Sequence, residues 1–230
     1  IKVYRAYSDL EECQFIAREI KRYIDEEGKS FRDFAILYRT NAQSRVFEDC
    51  FIKSDIPYRI IGGLKFYDRK EIKDIMAYLK LINNPLDDIS LRRIINVPKR
   101  SIGDATVAKI QEFANDIDDS LYSTLLDIEN VPGLTPRNVS AINKFTSIVN
   151  KFIRKIDEMD VSEMIEAILE DTGYLAELKK SGDLEDLSRI ENIKELVSAA
   201  VEFENTSEDK SLAAFLEKVT LVSDVDNFDE

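Results

Sequence analysis

The chain has 230 residues, 44% hydrophobic and 33% charged, with 32 Lys/Arg against 45 Asp/Glu and a formal net charge of −13. That balance fits a folded chain of one large domain or two smaller ones rather than a disordered one. The absence of histidine removes the usual general base and every Ser-His-Asp or Cys-His triad. The two cysteines, Cys13 and Cys50, have no CxxC spacing, which argues against zinc, and no apolar run approaches the ~20 residues of a membrane span.

Residues 2–7 alternate weakly and read as a strand that opens in mid-domain, which makes the chain an expected piece of a longer protein. Ser8 is placed to cap a helix, with Glu11 at the capping-box position and Leu10, Phe15, Ile16 and Ile20 at helical spacing; Gly28 ends it. Residues 34–38 read as a buried strand and 44–54 as a helix with Val46, Phe47, Phe51 and Ile52 inward. Residues 57–61 read as a third strand, closed by Gly62 and Gly63. Strand, helix, strand, helix, strand predicts a parallel α/β sheet of about three strands.

Beyond Gly63 the strand signal stops. Asp68 is placed to cap a helix carrying Ile72, Ile75, Met76, Leu79 and Ile82, ended by Asn83, Asn84 and Pro85. Helices are expected over 91–96, 104–114 and 120–128, then from Pro136 to Met159, and over 162–171, 184–204 and 211–222; residues 223–230 read as an acidic tail. The expected fold class is therefore α/β plus all-α: a partial parallel sheet followed by a larger helical domain of helix–turn–helix units. Both cysteines fall in helical patterns and read as reduced thiols. No secretory leader pattern opens the sequence, and a cytoplasmic location is expected.

Three motif-like stretches are set aside. Gly28-Lys29-Ser30 lacks the earlier glycine of a phosphate-binding loop, because position 23 is Tyr, and it follows a helix rather than a strand. Asp224, Asp226 and Asp229 lack the glycine and the final Glu of a calcium loop. Asn138-Val139-Ser140 is only a formal glycosylation triplet.

Two other stretches carry chemistry. Tyr38-Arg39-Thr40-Asn41 stands at the end of a predicted buried strand, where α/β folds bind ligands. Arg39 offers a planar fork of donors for phosphate or a stacked base, and Asn41 suits a base edge or a phosphate. Equally, Arg39 would pair with a nearby acid and Asn41 would simply cap the helix that follows. Lys99-Arg100-Ser101-Ile102-Gly103 puts two cations and a glycine ahead of a helix, with Thr106 in its first turn; this suits close backbone approach to a phosphate or, equally, an ordinary helix–turn–helix corner. An acidic chain repels phosphate, but residues 32–100 hold 14 Lys/Arg against 9 Asp/Glu, a net of +5, while the rest nets −18. With a Debye length of roughly 8 Å, a local basic patch acts despite distant acid.

Residues 33–45, 57–74 and 97–103, with later pieces at 171–174, 188–192 and 209–215, resemble the superfamily 1A DNA helicases of the PcrA/UvrD type along essentially the whole chain. The resemblance implies that residues 1–65 are part of the RecA-like subdomain 2A, 66–222 the helical subdomain 2B, and 223–230 a tail returning toward 2A. It implies single-stranded DNA contacts from Arg39 and Asn41. It implies duplex contacts from Lys99, Ser101, Ile102, Gly103, Thr106 and Arg137, and a hinge at Gly62 and Gly63. The parent would be an ATP-dependent 3′-to-5′ DNA helicase of repair and plasmid replication, using ATP and Mg. This chain would hold no cofactor and be inactive alone, because the Walker motifs would lie outside it. Implied partners are single-stranded and junction DNA and repair, replication-initiator or transcription proteins, with no membrane. Ser101 departs from the family, which usually has glycine there. The rival expectation is an acidic helical module for protein interaction or autoinhibition with little DNA affinity of its own.

Overall fold

The computed structural model describes residues 1–225 and divides into two units, Ile1–Arg69 with Val219–Glu230, and Lys70–Lys218. The last five residues of the expected acidic tail, Asp226 and Asp229 among them, lie outside the described residues.

The first unit is built on two helices, α1 (Asp9–Glu27) and α2 (Ser44–Lys53). Ser8 Oγ accepts the Glu11 amide at 3.2 Å, as a helix cap should. The Glu11 carboxylate reaches further back than a capping box requires, accepting the Tyr7 amide at 2.9 Å and the Tyr4 hydroxyl at 2.6 Å. Cys13, Ala17 and Ile20, one helical face of α1, pack with Cys50 and Phe51 of α2 and with Ile56. Burial pushes the Cys13 thiol up, with Cys50 as its neighbour, so it is inert as a nucleophile.

The expected α/β sheet is overturned. Among the described residues every regular element is helical, and residues 2–7, 34–38 and 57–61 are not strands of a RecA-like parallel sheet. No backbone hydrogen bond joins these three segments to one another, and a strand is defined by its ladder. Their period-2 pattern survives without one. Phe34, Ile36, Ile56 and Tyr58 face the α1–α2 core, while Val3 is 90% exposed, Leu37 96% and Ile61 81%. Apolar alternation reported which side meets the helices, not that the other side was paired and covered.

The second unit is helical throughout its described length: α3 (Lys70–Asn83), α4 (Asp88–Ile94), α5 (Asp104–Asp116), α6 (Leu121–Leu126), α7 (Pro136–Ile153), α8 (Val161–Thr172), α9 (Tyr174–Ser181) and α10 (Leu184–Thr206), with α11 (Leu212–Val225) beginning in it. α3 is its centre and touches α4, α7, α8 and α10. That position explains why Ile72, Ile75, Tyr78, Leu79, Leu81 and Ile82 are all buried. Phe145 and Phe152 of α7, Ile165 and Ile168 of α8, and Leu196 and Ala200 of α10 complete the core. Two carboxylates of α3 are buried with partners. Asp74 takes Arg93 of α4 at 2.8 Å and the Tyr174 hydroxyl at 3.0 Å; Glu71 takes the Asn192 amide of α10 at 2.6 Å. Such groups are tolerated inside because each is hydrogen-bonded.

Candidate nucleic-acid interface

In the first unit a single 3-10 turn, Asn41–Gln43, leads directly into α2. Gln43 makes the turn. Its Oε1 accepts the amides of Arg39 at 2.9 Å and Thr40 at 3.0 Å. The capping task therefore does not fall on the Asn41 side chain, and Arg39 makes no ion pair among the described residues; both side chains are exposed. Arg45, at the far end of the same stretch, is instead turned inward and paired with Asp49 at 2.8 Å.

Beneath this turn lies a buried polar group. Arg69 donates from Nη2 to the Asn41 carbonyl at 3.0 Å and to Ser44 Oγ at 2.7 Å. Ser44 donates to Glu48 at 2.6 Å, and the Glu48 carboxylate accepts the Phe66 amide at 3.1 Å. Burial raises the Glu48 carboxyl against the opposing pull of Ser44, the Phe66 amide and nearby Arg69. A raised folded-state value means that the native state holds the proton more tightly. The stability contributed is thus fully present below the unfolded value of about 4.3 and is lost as pH rises through the folded value. Urea midpoints measured across that window should fall as pH rises, and Glu48→Gln should flatten the profile.

Gly62 sits just ahead of this cluster with φ +80°, a conformation that a side chain strains by roughly 1–2 kcal/mol. Gly63 has no such requirement, and Phe66, fully buried, ends the loose stretch.

In the second unit the turn between α4 and α5 holds the other predicted residues. The Val97–Pro98 peptide is cis. Lys99 is exposed, but Arg100 is not the second surface cation that its sequence position promised. Its Nη1 donates to the carbonyls of Ile94 at 3.0 Å and Pro98 at 3.2 Å, its Nη2 donates to Tyr78 Oη at 2.6 Å, and it lies 5.3 Å from the Phe145 ring centre. Ile102 is buried as a whole residue, and its amide donates to Asn96 Oδ1 at 3.2 Å, so it braces the turn from within rather than facing a ligand. Gly103 precedes α5 at φ −86°, open to any residue, and a Cβ there would meet nothing within 4 Å. Its dihedrals do not demand glycine; what glycine leaves is uncovered backbone. Thr106 is half-buried in the first turn of α5.

Arg137 joins this turn from a distance in sequence. Thr135 caps α7 and Pro136 opens it, which fixes Arg137 in the first turn. Arg137 donates to Ser101 Oγ at 2.9 Å, and Asn138 Nδ2 donates to the Ser101 carbonyl at 3.4 Å. Lys109 of α5 reaches the Gly133 carbonyl at 3.2 Å. The first turn of α7 is thus hydrogen-bonded to the turn that leads into α5 and carries exposed Lys99. Asn138 and Lys109 were missed because nothing in their spacing reports a tertiary contact.

Ser101 occupies the left-handed region at φ +63°. Glycine there relieves roughly 1–2 kcal/mol of backbone strain, against about 0.2–1 kcal/mol for a solvent-exposed contact to a charged side chain such as Arg137. Ser101→Gly is expected to raise the denaturant midpoint, and Ser101→Ala, which keeps the Cβ and loses the hydroxyl, is not.

The sequence profile of the UvrD-like helicase C-terminal domain matches residues 1–230. The chain belongs to this family. The resemblance of residues 33–45, 57–74 and 97–103 to the PcrA/UvrD-type superfamily 1A helicases is borne out. Among curated relatives, the ATP-dependent DNA helicase PcrA of Staphylococcus aureus is 41% identical over 231 residues, covering all of this chain and 31% of the relative. The protein of the same name from Staphylococcus epidermidis is 40% identical over the same span. The chain thus spans about a third of the length of these relatives. Among the described residues no group of three His, Cys, Asp or Glu could hold a metal ion. No described helix is long and apolar enough to cross a membrane.

Proposed function

We propose that this chain is the DNA-handling portion of an ATP-dependent DNA helicase, gripping single-stranded DNA through Arg39 and Asn41 and duplex DNA through the Lys99–Thr106 turn with Arg137. In this reading residues 1–65 correspond to part of subdomain 2A and 66–222 to subdomain 2B, with Gly62 and Gly63 as the pivot between them. Hydrolysis in the rest of the protein drives alternate grip and release of the strand; ATP and Mg belong there. The work is cytoplasmic, in repair and replication, with repair, replication-initiator or transcription proteins as partners.

The observation that carries the duplex half is the Arg137–Ser101 hydrogen bond, which brings a cation from the first turn of α7 to the turn that also bears exposed Lys99. Lys99→Ala combined with Thr106→Ala should weaken duplex binding by the full-length protein about tenfold at low salt, and lower the salt slope by about 0.9 for the lost cation. Unchanged duplex affinity at low salt would sink the assignment.

A second reading rests on α8, whose Glu163, Glu166 and Glu170 form an exposed acidic face. It makes the helical unit a docking or autoinhibitory surface with little DNA affinity. Failure of the chain to bind forked DNA at roughly 50 mM salt, together with binding to a protein partner, would favour it.

A further inference from the structure

Resting on the single-strand reading of Arg39 and Asn41, we infer that Arg69 is the positioning residue of that grip. Arg69 is 8% exposed and is directed into the protein rather than toward a ligand. One of its nitrogens holds two acceptors at once, the Asn41 carbonyl and Ser44 Oγ, and its guanidinium lies over the Phe66 ring with 5.2 Å to the centre. The turn is thereby held from two sides. Gln43 fixes the amides of residues 39 and 40 from within the turn itself. Arg69 fixes the next carbonyl from 28 positions along the chain.

The second tie is the informative one. Any side chain that caps its own turn would orient residue 39, but the Asn41 peptide is set only when residues 66–69 are seated. The Phe66 amide is bound by Glu48, Glu48 by Ser44, and Ser44 by Arg69. The segment just beyond Gly62 and the DNA-facing turn are thus one hydrogen-bonded body, and the exit of the chain from Gly62 sets the angle at which Asn41 meets a strand. The planar guanidinium lies over the Phe66 ring while its Nη2 meets both acceptors; an ammonium, compact and without a flat face, does not combine that stacking with that aim.

The experiment is titration of a labelled oligo(dT) across a salt series, with a blunt duplex as comparison, on the full-length protein containing this chain. Arg69→Lys should weaken oligo(dT) binding about tenfold. It should leave duplex affinity within about twofold and the salt slope unchanged, since no phosphate contact is removed. Ser44→Ala, which keeps the buried guanidinium, should give a smaller loss with the same unchanged slope. Arg39→Ala should weaken binding and lower the slope by about 0.7. A merely structural role for Arg69 would lower the melting temperature and both affinities together, or neither. Wild-type oligo(dT) affinity in Arg69→Lys and Ser44→Ala, beside a weakened Arg39→Ala, overturns the inference and leaves the single-strand reading standing. A reduced slope in Arg69→Lys overturns it too, by making Arg69 a direct contact. Full affinity in both Arg39→Ala and Asn41→Ala removes the single-strand reading itself. If Arg69→Lys does not fold, Ser44→Ala decides alone: a selective loss with unchanged slope supports the inference, and wild-type affinity overturns it.

Discussion

Replacing Arg100 with alanine is expected to cost about 3 kcal/mol of stability in the second unit and to weaken duplex binding, although Arg100 faces inward. The guanidinium ties the end of α4 to the turn after it, beside Asn96, whose Oδ1 accepts the amides of Arg100 at 2.7 Å and Ile102 at 3.2 Å. It holds the carbonyls of Ile94, Ile95 and Pro98 and the hydroxyl of Tyr78, which itself donates to the Val97 carbonyl at 2.5 Å. Ile94 and Ile95 are buried, so their carbonyls would lose a donor that water replaces poorly. Burial pushes the Tyr78 hydroxyl up to about 12, against the pull of Arg100, so it remains a neutral donor over any working range. Denaturant unfolding reads the first effect. A duplex affinity that falls with no change in salt slope reads the second, because the turn is loosened without losing a phosphate contact. Arg100→Lys should recover only part of either, since an ammonium cannot span the same acceptors.

Asp74→Ala is the second large effect, expected at about 3 kcal/mol, the lower end for a broken buried pair. Asp74 is 2% exposed and satisfies two partners from two other helices. Of those, Arg93 is 36% exposed at its side chain and can turn toward water, which limits the damage. Tyr174 cannot; burial and the Asp74 carboxylate both push its hydroxyl up, and it is left as a donor without an acceptor. Asp74→Asn keeps an acceptor and should cost less, about 1–2 kcal/mol. A double-mutant cycle with Tyr174→Phe should return a coupling of about 1 kcal/mol.

These two predictions mark where sequence reading succeeded and where it stopped. The helices of the second unit were legible because apolar residues at helical spacing have one common cause, burial of a face, as in Ile72, Ile75, Leu79 and Ile82 of α3. α9 was missed; its eight residues are bracketed by Gly173 and Gly182, both in the left-handed region, and two such breakers made the stretch read as a connection. The strands failed for a different reason. Alternation at Phe34 and Ile36 reports one buried side, whereas a sheet requires neighbours that no residue of the segment itself encodes.

The candidate sites divide the same way. Arg39, Asn41 and Lys99 were picked by residue chemistry and Arg137 by the family resemblance, and all four are exposed. Arg100 was read by the same chemistry as a surface cation and is a structural tie, because charge type does not disclose which carbonyls lie within reach. The Arg137–Ser101 and Arg69–Asn41 contacts join positions 36 and 28 apart, and no local pattern announces such pairs.

The open backbones of the first unit have a consequence for how the chain behaves in solution. Residues 2–7, 34–38 and 57–61 carry apolar side chains outward on extended segments that no ladder joins to one another. Extended backbone of this kind pairs readily with another chain, through apolar contact and backbone hydrogen bonds rather than charge. Self-association through this face would therefore grow with concentration and resist added salt, whereas the proposed DNA contacts would weaken with it. Ionic strength thus separates the stickiness of the first unit from its recognition chemistry.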